Sequence, residues 1–179
     1  MLYFSKEWYK NISVSSINEA ECRYLERIKH EDTAQLRRTL NLHDERIQQV
    51  LQKENTLILL FKSNPLGANI KQLSFPNARI KVNDGLEEGD VWLYKEIYRK
   101  KSGYELHVLF SNNEGDLKEL IFLTSDVFPE FDEAKVAIQA EMDTLWTKMK
   151  NEPNPIAQEK LYQQFLSLKK RLLSTTGID

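Results

Sequence analysis

Cysteine is almost missing from this chain. Its single thiol, Cys22, cannot close an internal disulfide, and no second thiol is present to build a cysteine-based metal site, so a reduced, cytoplasmic setting is expected. Long hydrophobic runs are missing as well. The longest, Leu57 to Phe61, is far too short to span a bilayer, and the opening MLYFSKEWYKN turns polar from Ser5 onward, which argues against a secretory signal. Neither sign of charge dominates, since 25 Lys and Arg stand against 27 Asp and Glu with the signs interspersed. The formal charge of -2 gives no long-range attraction to nucleic acid or anionic membrane. Histidine is scarce, and a three-histidine metal site would consume all of His30, His43 and His107. No glycine-rich loop precedes a helix, so a phosphate cradle is unsupported, no catalytic signature is recognisable, and no cofactor is called for.

What the chain does hold is an alternating stretch from Val91 to Thr124. Two apolar/polar runs and a third behind them are separated by the breakers Lys100 to Gly103 and Asn112 to Asp116, which predicts a three-stranded antiparallel meander. Around it the remaining segments read as covering. Leu2, Tyr3 and Phe4 with Trp8 and Tyr9 are rich in aromatics for a terminus, predicting a docked edge strand or plug. A helix is expected from about Asn18 to Leu40, with Cys22, Leu25 and Ile28 on its apolar stripe, Tyr24 beside them, and a break at His30 to Thr33. Arg46 to Gln52 and Thr56 to Phe61 predict a hairpin, the second run central in the sheet because both its faces are apolar. Asn64-Pro65-Leu66-Gly67 is turn chemistry, and Ala78 to Val82 predicts a short strand.

After Asp126 the period becomes helical. Asp132 caps a helix to Lys150 with Ile138, Met142, Leu145 and Met149 on its stripe, widened by Val136 and Trp146. Asn154 and Pro155 then start a second helix carrying Leu161, Phe165, Leu168 and Leu172 and ending near Gly177. The whole reads as one α+β domain over residues 1–179: an N-terminal aromatic segment and helix (1–45), an antiparallel sheet (46–126) and an antiparallel helical hairpin (131–177). Lys169, Lys170 and Arg171 complement the dipole of the last helix.

The meander also carries the candidate site. If the Lys100 to Gly103 loop closes symmetrically, Arg99 faces Tyr104, Ile97 faces Leu106, Lys95 faces Val108 and Leu93 faces Phe110. The opposite face then holds Trp92, Tyr94, Glu96 and Tyr98 with Glu105, His107 and Leu109, and we expect Glu96 across from Glu105 and Tyr94 across from His107. Facing carboxylates repel, so they need a cation, a shared proton or water. Glu96, Glu105 and His107 are therefore the candidate catalytic or cation-binding groups, and Trp92, Tyr94 and Tyr98 the candidate binding aromatics. The plainer reading of the same residues is a solvated sheet face with aromatic cross-strand pairs. His43-Asp44 reads as a turn, His30-Glu31-Asp32 as a solvated turn, and Cys22 as a small buried hydrophobe.

Tyr3-Phe4-Ser5-Lys6-Glu7-Trp8-Tyr9, Trp92-Leu93-Tyr94-Lys95-Glu96-Ile97-Tyr98 and Gly103-Tyr104-Glu105-Leu106-His107-Val108-Leu109 resemble a family of small uncharacterised proteins from Firmicutes, with a YFTKEWY-like start and WLYEE-like and YELHVLL-like strands. Leu42-His43-Asp44 and Asp116-Leu117-Lys118-Glu119-Leu120 fit the same pattern, whereas Lys95 stands where that pattern is acidic. The resemblance implies a bacterial, cytoplasmic protein and no assigned activity. The expected function is non-enzymatic binding of another protein, through the aromatic sheet face or the helical hairpin, with toxin neutralisation as one instance and self-association allowed. The alternative is a small metal-assisted or acid/base enzyme using Glu96, Glu105 and His107.

Overall fold

A computed structural model describes residues 1–64 and 67–174. Pro65 and Leu66 of the expected turn, and the helix stop expected near Gly177, lie outside the described residues. Among the described residues the architecture is α+β, with eight antiparallel strands in two sheets, helices before them in the chain and a helical pair after them. Two compact units result: Met1–Lys62 with Ile70–Glu130, and Ser63–Asn69 with the helices that follow Phe131.

The first unit opens with a short helix α1 (Lys6–Lys10), then α2 (Val14–Arg27) and α3 (Ala34–Thr39). Ser13 caps α2 through a capping box with Ser16, so the helix starts at Val14, four residues before the expected start at Asn18. The break at His30 to Thr33 is present, and Thr33 opens α3. The buried stripe of α2 is rotated from the expected one: Ala20, Tyr24 and Ile28 face inward, while Cys22 and Leu25 are exposed. Tyr24 sets this rotation because its hydroxyl both receives the Ile97 N–H (2.6 Å) and donates to the Ile97 carbonyl (3.1 Å). Burial pushes that phenol up to about 12.

One sheet has the order β1 (Ile47–Lys53), β2 (Thr56–Phe61), β3 (Ile70–Phe75) and β8 (Phe128–Phe131). The predicted hairpin is β1 and β2, and β2 is interior as its apolar faces require. Both β3 and β8 lie in segments whose sequence gave no strand signal, because each is short and broken by polar residues or Pro129. The other sheet has the order β4 (Arg79–Asn83), β7 (Leu117–Thr124), β6 (Gly103–Ser111) and β5 (Val91–Lys100), so the predicted meander is β5, β6 and β7. Inward faces of the two sheets meet where Phe61 packs near Trp92 and Phe75 against Phe122, with Leu59, Leu73, Ile97, Leu106 and Val108 fully buried between.

In the second unit, α4 (Glu133–Asn151) is capped by Asp132 and α5 (Pro155–Ser174) by the Asn154 carboxamide, which accepts from the N–H of Ile156 (2.9 Å) and Ala157 (3.3 Å). Their shared core is Ile138, Met142, Leu168 and Leu172, with Leu145 and Phe165 beside it. Val136 and Trp146 stay exposed. Lys135 is buried in this unit, its ammonium donating to the Asn64 carbonyl at 3.1 Å. No helix among the described residues is long and apolar enough to cross a membrane.

The meander depends on one glycine. Gly103 closes the β5–β6 turn at φ +129°, and a Cβ there would lie 2.0 Å from the Thr124 carbonyl oxygen. That contact is with backbone and cannot yield. Gly103→Ala is therefore expected to destabilise the fold by roughly 3 kcal/mol or more, read as a lowered urea midpoint at unchanged slope.

Candidate functional site

The β5–β6 register is the expected one from the turn up to Lys95: Arg99 pairs with Tyr104, Ile97 with Leu106 and Lys95 with Val108. Continuing that ladder places Glu96 across from His107 and Tyr98 across from Glu105, so the expected Glu96/Glu105 facing pair does not form. Beyond Lys95 the ladder changes step. A bulge between Trp92 and Tyr94 leaves Leu93 without a partner and pairs Trp92 with Phe110, where Leu93 was expected. The extra residue carries Trp92 to the face between the sheets, where its ring packs on Phe110 (5.3 Å) and it is 1% exposed. Tyr94, Glu96 and Tyr98 share the other face with Glu105 and His107.

That face is closed by the N-terminal segment. Glu96 is fully buried, and its carboxylate accepts from the backbone N–H groups of Leu2 (2.9 and 3.1 Å), Tyr3 (2.7 Å) and Phe4 (2.8 Å) and from the Tyr98 hydroxyl (2.8 Å). Successive amides curled around one anion form a nest that replaces the lost water. Burial, followed by the Glu96 charge, pushes the Tyr98 phenol far up, so it stays a donor. Phe4 then packs with Ala20, Tyr24, Ile28 and Tyr98, and stacks on Tyr94 at 5.2 Å. The expected N-terminal plug is this segment.

His107 lies between both carboxylates. Its Nε2 is 2.8 Å from Glu105 and its Nδ1 3.7 Å from Glu96, and Nδ1 has no hydrogen-bond partner among the described residues. Glu105 is also bound by Lys81 (2.9 Å) and Lys100 (3.0 Å). Burial works to raise its pKa, but the bonds from His107, Lys81 and Lys100 outweigh it and hold the carboxyl at about 2. Among the described residues no group of three or more His, Cys, Asp or Glu is arranged to hold a metal ion. His43 and Asp44 do meet, at 3.0 Å, on an exposed turn where Asp44 has φ +68°.

A second feature adjoins this one. A cleft of about 460 Å³ opens between α2, α3 and the Trp92–Lys95 end of β5, a size that suits small ligands or a few side chains. Tyr94, Lys95, Arg37, Arg38, Glu21 and His43 are on its lining. Neither Arg37, Arg38 nor Lys95 makes a side-chain hydrogen bond or ion pair among the described residues, and the Arg37 Nε is buried without a partner. Burial, then the Arg37 charge, lowers the Lys95 ammonium to about 8, with Glu21 offsetting only part. Sequence reading passed over these cations. One signal was available: Lys95 falls among core positions, in line with Ile97 and opposite Val108, where a charge needs a reason.

Two outcomes follow from the closed face. Glu96→Gln turns an acceptor into an NH₂ group against the amide nest, so it should cost about 3 kcal/mol and speed hydrogen exchange at Leu2 to Phe4. Glu105 is depressed from 4.5 to about 2, so its contribution to stability is complete above 4.5 and is lost as pH falls through about 2. Urea midpoints measured across that window should fall less steeply for Glu105→Gln than for the parent chain.

Comparison with the curated proteins gives no match, and comparison with the solved structures gives none. The family described as "Protein of unknown function (DUF4085)" has a model that matches residues 4–120, which takes in Phe4 of the N-terminal plug, the α2–α3 wall, the cleft and the β5–β6 hairpin; the chain belongs to this family.

Proposed function

We propose that this chain is a non-enzymatic protein-interaction module of the bacterial cytoplasm, and that it engages its partner through the cleft beside Tyr94 and Lys95. The observation that carries this reading is a contrast in how the charges are used. Glu96 and Glu105 are saturated by amides, a phenol, a histidine and two lysines, whereas Arg37, Arg38 and Lys95 face a cleft with no counter-charge bonded to them. Charges kept unpaired at a half-buried site cost stability unless a ligand uses them. Acid/base chemistry by Glu96, Glu105 and His107 is less well supported, since a general base must reach the proton it takes and Glu96 has no exposed surface. Of the candidate binding aromatics, Tyr98 and Trp92 are buried in the core; Trp92 and Tyr94 both line the cleft, and Tyr94 is the partly exposed one. The resemblance to Firmicutes proteins and the single exposed thiol support the bacterial and cytoplasmic parts of the proposal.

Affinity capture of the tagged chain from cells that express it tests the reading. A partner is expected with the parent chain and with Lys53→Ala, on an exposed position of β1, and should be lost with Tyr94→Ala. Recovery of no partner, or equal recovery with Tyr94→Ala, would overturn it.

A further inference from the structure

Strand β5 ends the sheet order β4-β7-β6-β5, so one row of its backbone groups faces away from β6. Most of that row is satisfied by other parts of the unit. At Trp92 the N–H donates to the Glu45 carbonyl (2.8 Å) and the carbonyl accepts from Asp44 (2.9 Å). Two pairs closer to the turn, the Tyr24 hydroxyl serves both groups of Ile97, and the Glu31 carboxylate accepts the Arg99 N–H at 2.6 Å. Outward and inward groups alternate along an antiparallel strand. Ile97 and Arg99 point outward, so Lys95 does too, and its N–H and carbonyl have no partner among the described residues. The open place in the edge is one residue long and lies on the cleft.

Around this gap cations outnumber acids: Lys95, Arg37 and Arg38 line the cleft with Glu21. Lys95 and Arg37 converge there although like charges repel, and Arg38 lines the same cleft. An inward lysine on an edge strand can serve simply to block pairing with another sheet. That role explains Lys95 alone; it gives no reason to bring an arginine with a buried, unbonded Nε against it.

Resting on the interaction-module reading, we infer that the cleft receives an acidic residue within an extended segment of a partner protein. The backbone of that residue pairs with the free N–H and carbonyl of Lys95, as in strand addition. A residue paired in this way projects its side chain to the same face as Lys95, so a Glu or Asp carboxylate reaches the Lys95 ammonium and the Arg37 guanidinium. Tyr94 borders the site and offers an aromatic surface to the neighbouring residue. Asp44 and Glu45 on one side, and Tyr24 on the other, limit backbone pairing to this single position, which selects a short segment over a full strand.

The test uses the full chain and a short acetylated, amidated peptide, Thr-Val-Glu-Val-Thr, with its Glu-to-Gln counterpart, free acetate and inorganic phosphate as separate arms. Binding is followed by amide chemical shifts and by acylation of Lys95 with an amine-reactive reagent. The Glu peptide is expected to shift the Lys95 amide, to protect its side chain from acylation and to bind roughly tenfold or more tighter than the Gln peptide. Lys95→Met and Arg37→Met should each remove that preference, and unchanged amide spectra away from the cleft show that both variants are folded. Equal binding of the two peptides, or saturation of the same shifts by phosphate or acetate alone, would overturn the inference. So would a Lys95→Met variant that only self-associates while still binding the Glu peptide, the result expected of a lysine that merely guards an edge. A partner captured by the parent chain whose recovery is indifferent to Lys95→Met and Arg37→Met sinks the acidic-segment inference and leaves the interaction-module reading standing.

Discussion

The burial of one negative charge organises the first unit. An isolated carboxylate in a protein interior is untenable without close polar partners, and Glu96 finds most of its partners in the backbone of Leu2, Tyr3 and Phe4. Those amides can converge only if the segment curls over the sheet, and the curl places Phe4 against Tyr94, Tyr24 and Trp8. Each aromatic buried this way contributes about 2 kcal/mol through the area removed from water. The charge thus sets the path of the segment, and the rings make that path stable. Through Tyr24 the same packing fixes α2 on β5, and through α2 it fixes the wall of the cleft.

Edge protection explains much of the helical covering. A strand left with unpaired amides invites pairing with other chains, and β5 is shielded by several unrelated devices: a tyrosine hydroxyl, a glutamate side chain and the backbone of residues 44 and 45. None of these extends the sheet. Because each shields one position, the covering is discontinuous, and its gap coincides with the place where cations collect.

Legibility from sequence followed the range of the signals. Alternation gave the meander, the breaker Lys100 to Gly103 placed its first turn, and the capping residues Asp132 and Asn154 gave the start of both C-terminal helices, because these depend on neighbours in the chain. The N-terminal plug was legible from its aromatic density. What was not legible is what depends on distant backbone. Leu2, Tyr3 and Phe4 bind Glu96 by N–H groups that every residue but proline carries, so no side chain announces the nest. The stripe on α2 was misassigned because Cys22 and Leu25 outrank Tyr24 in hydropathy, while Tyr24 is chosen by a hydrogen bond to a strand far along the chain. Likewise β3 and β8 take their extended form from sheet partners and show no pattern of their own. The cleft was missed because unpaired cations in sequence look like ordinary surface lysine and arginine.

The bulge at Leu93 acts on β5 as a shift of reading frame acts on a coding strand. On the turn side of it, even-numbered residues serve the N-terminal plug and odd-numbered ones the space between the sheets; on the other side the assignment is exchanged, and Trp92 enters the inter-sheet core. One strand can therefore present tryptophan to one core and tyrosine to another from positions two apart, which a regular strand forbids. A strand that kept Leu93 but paired it regularly, with no bulge, would set Trp92 and Tyr94 on a common face. The indole would then compete with Phe4 and Tyr94 for the space over the sheet, and the inter-sheet core would lose its largest side chain.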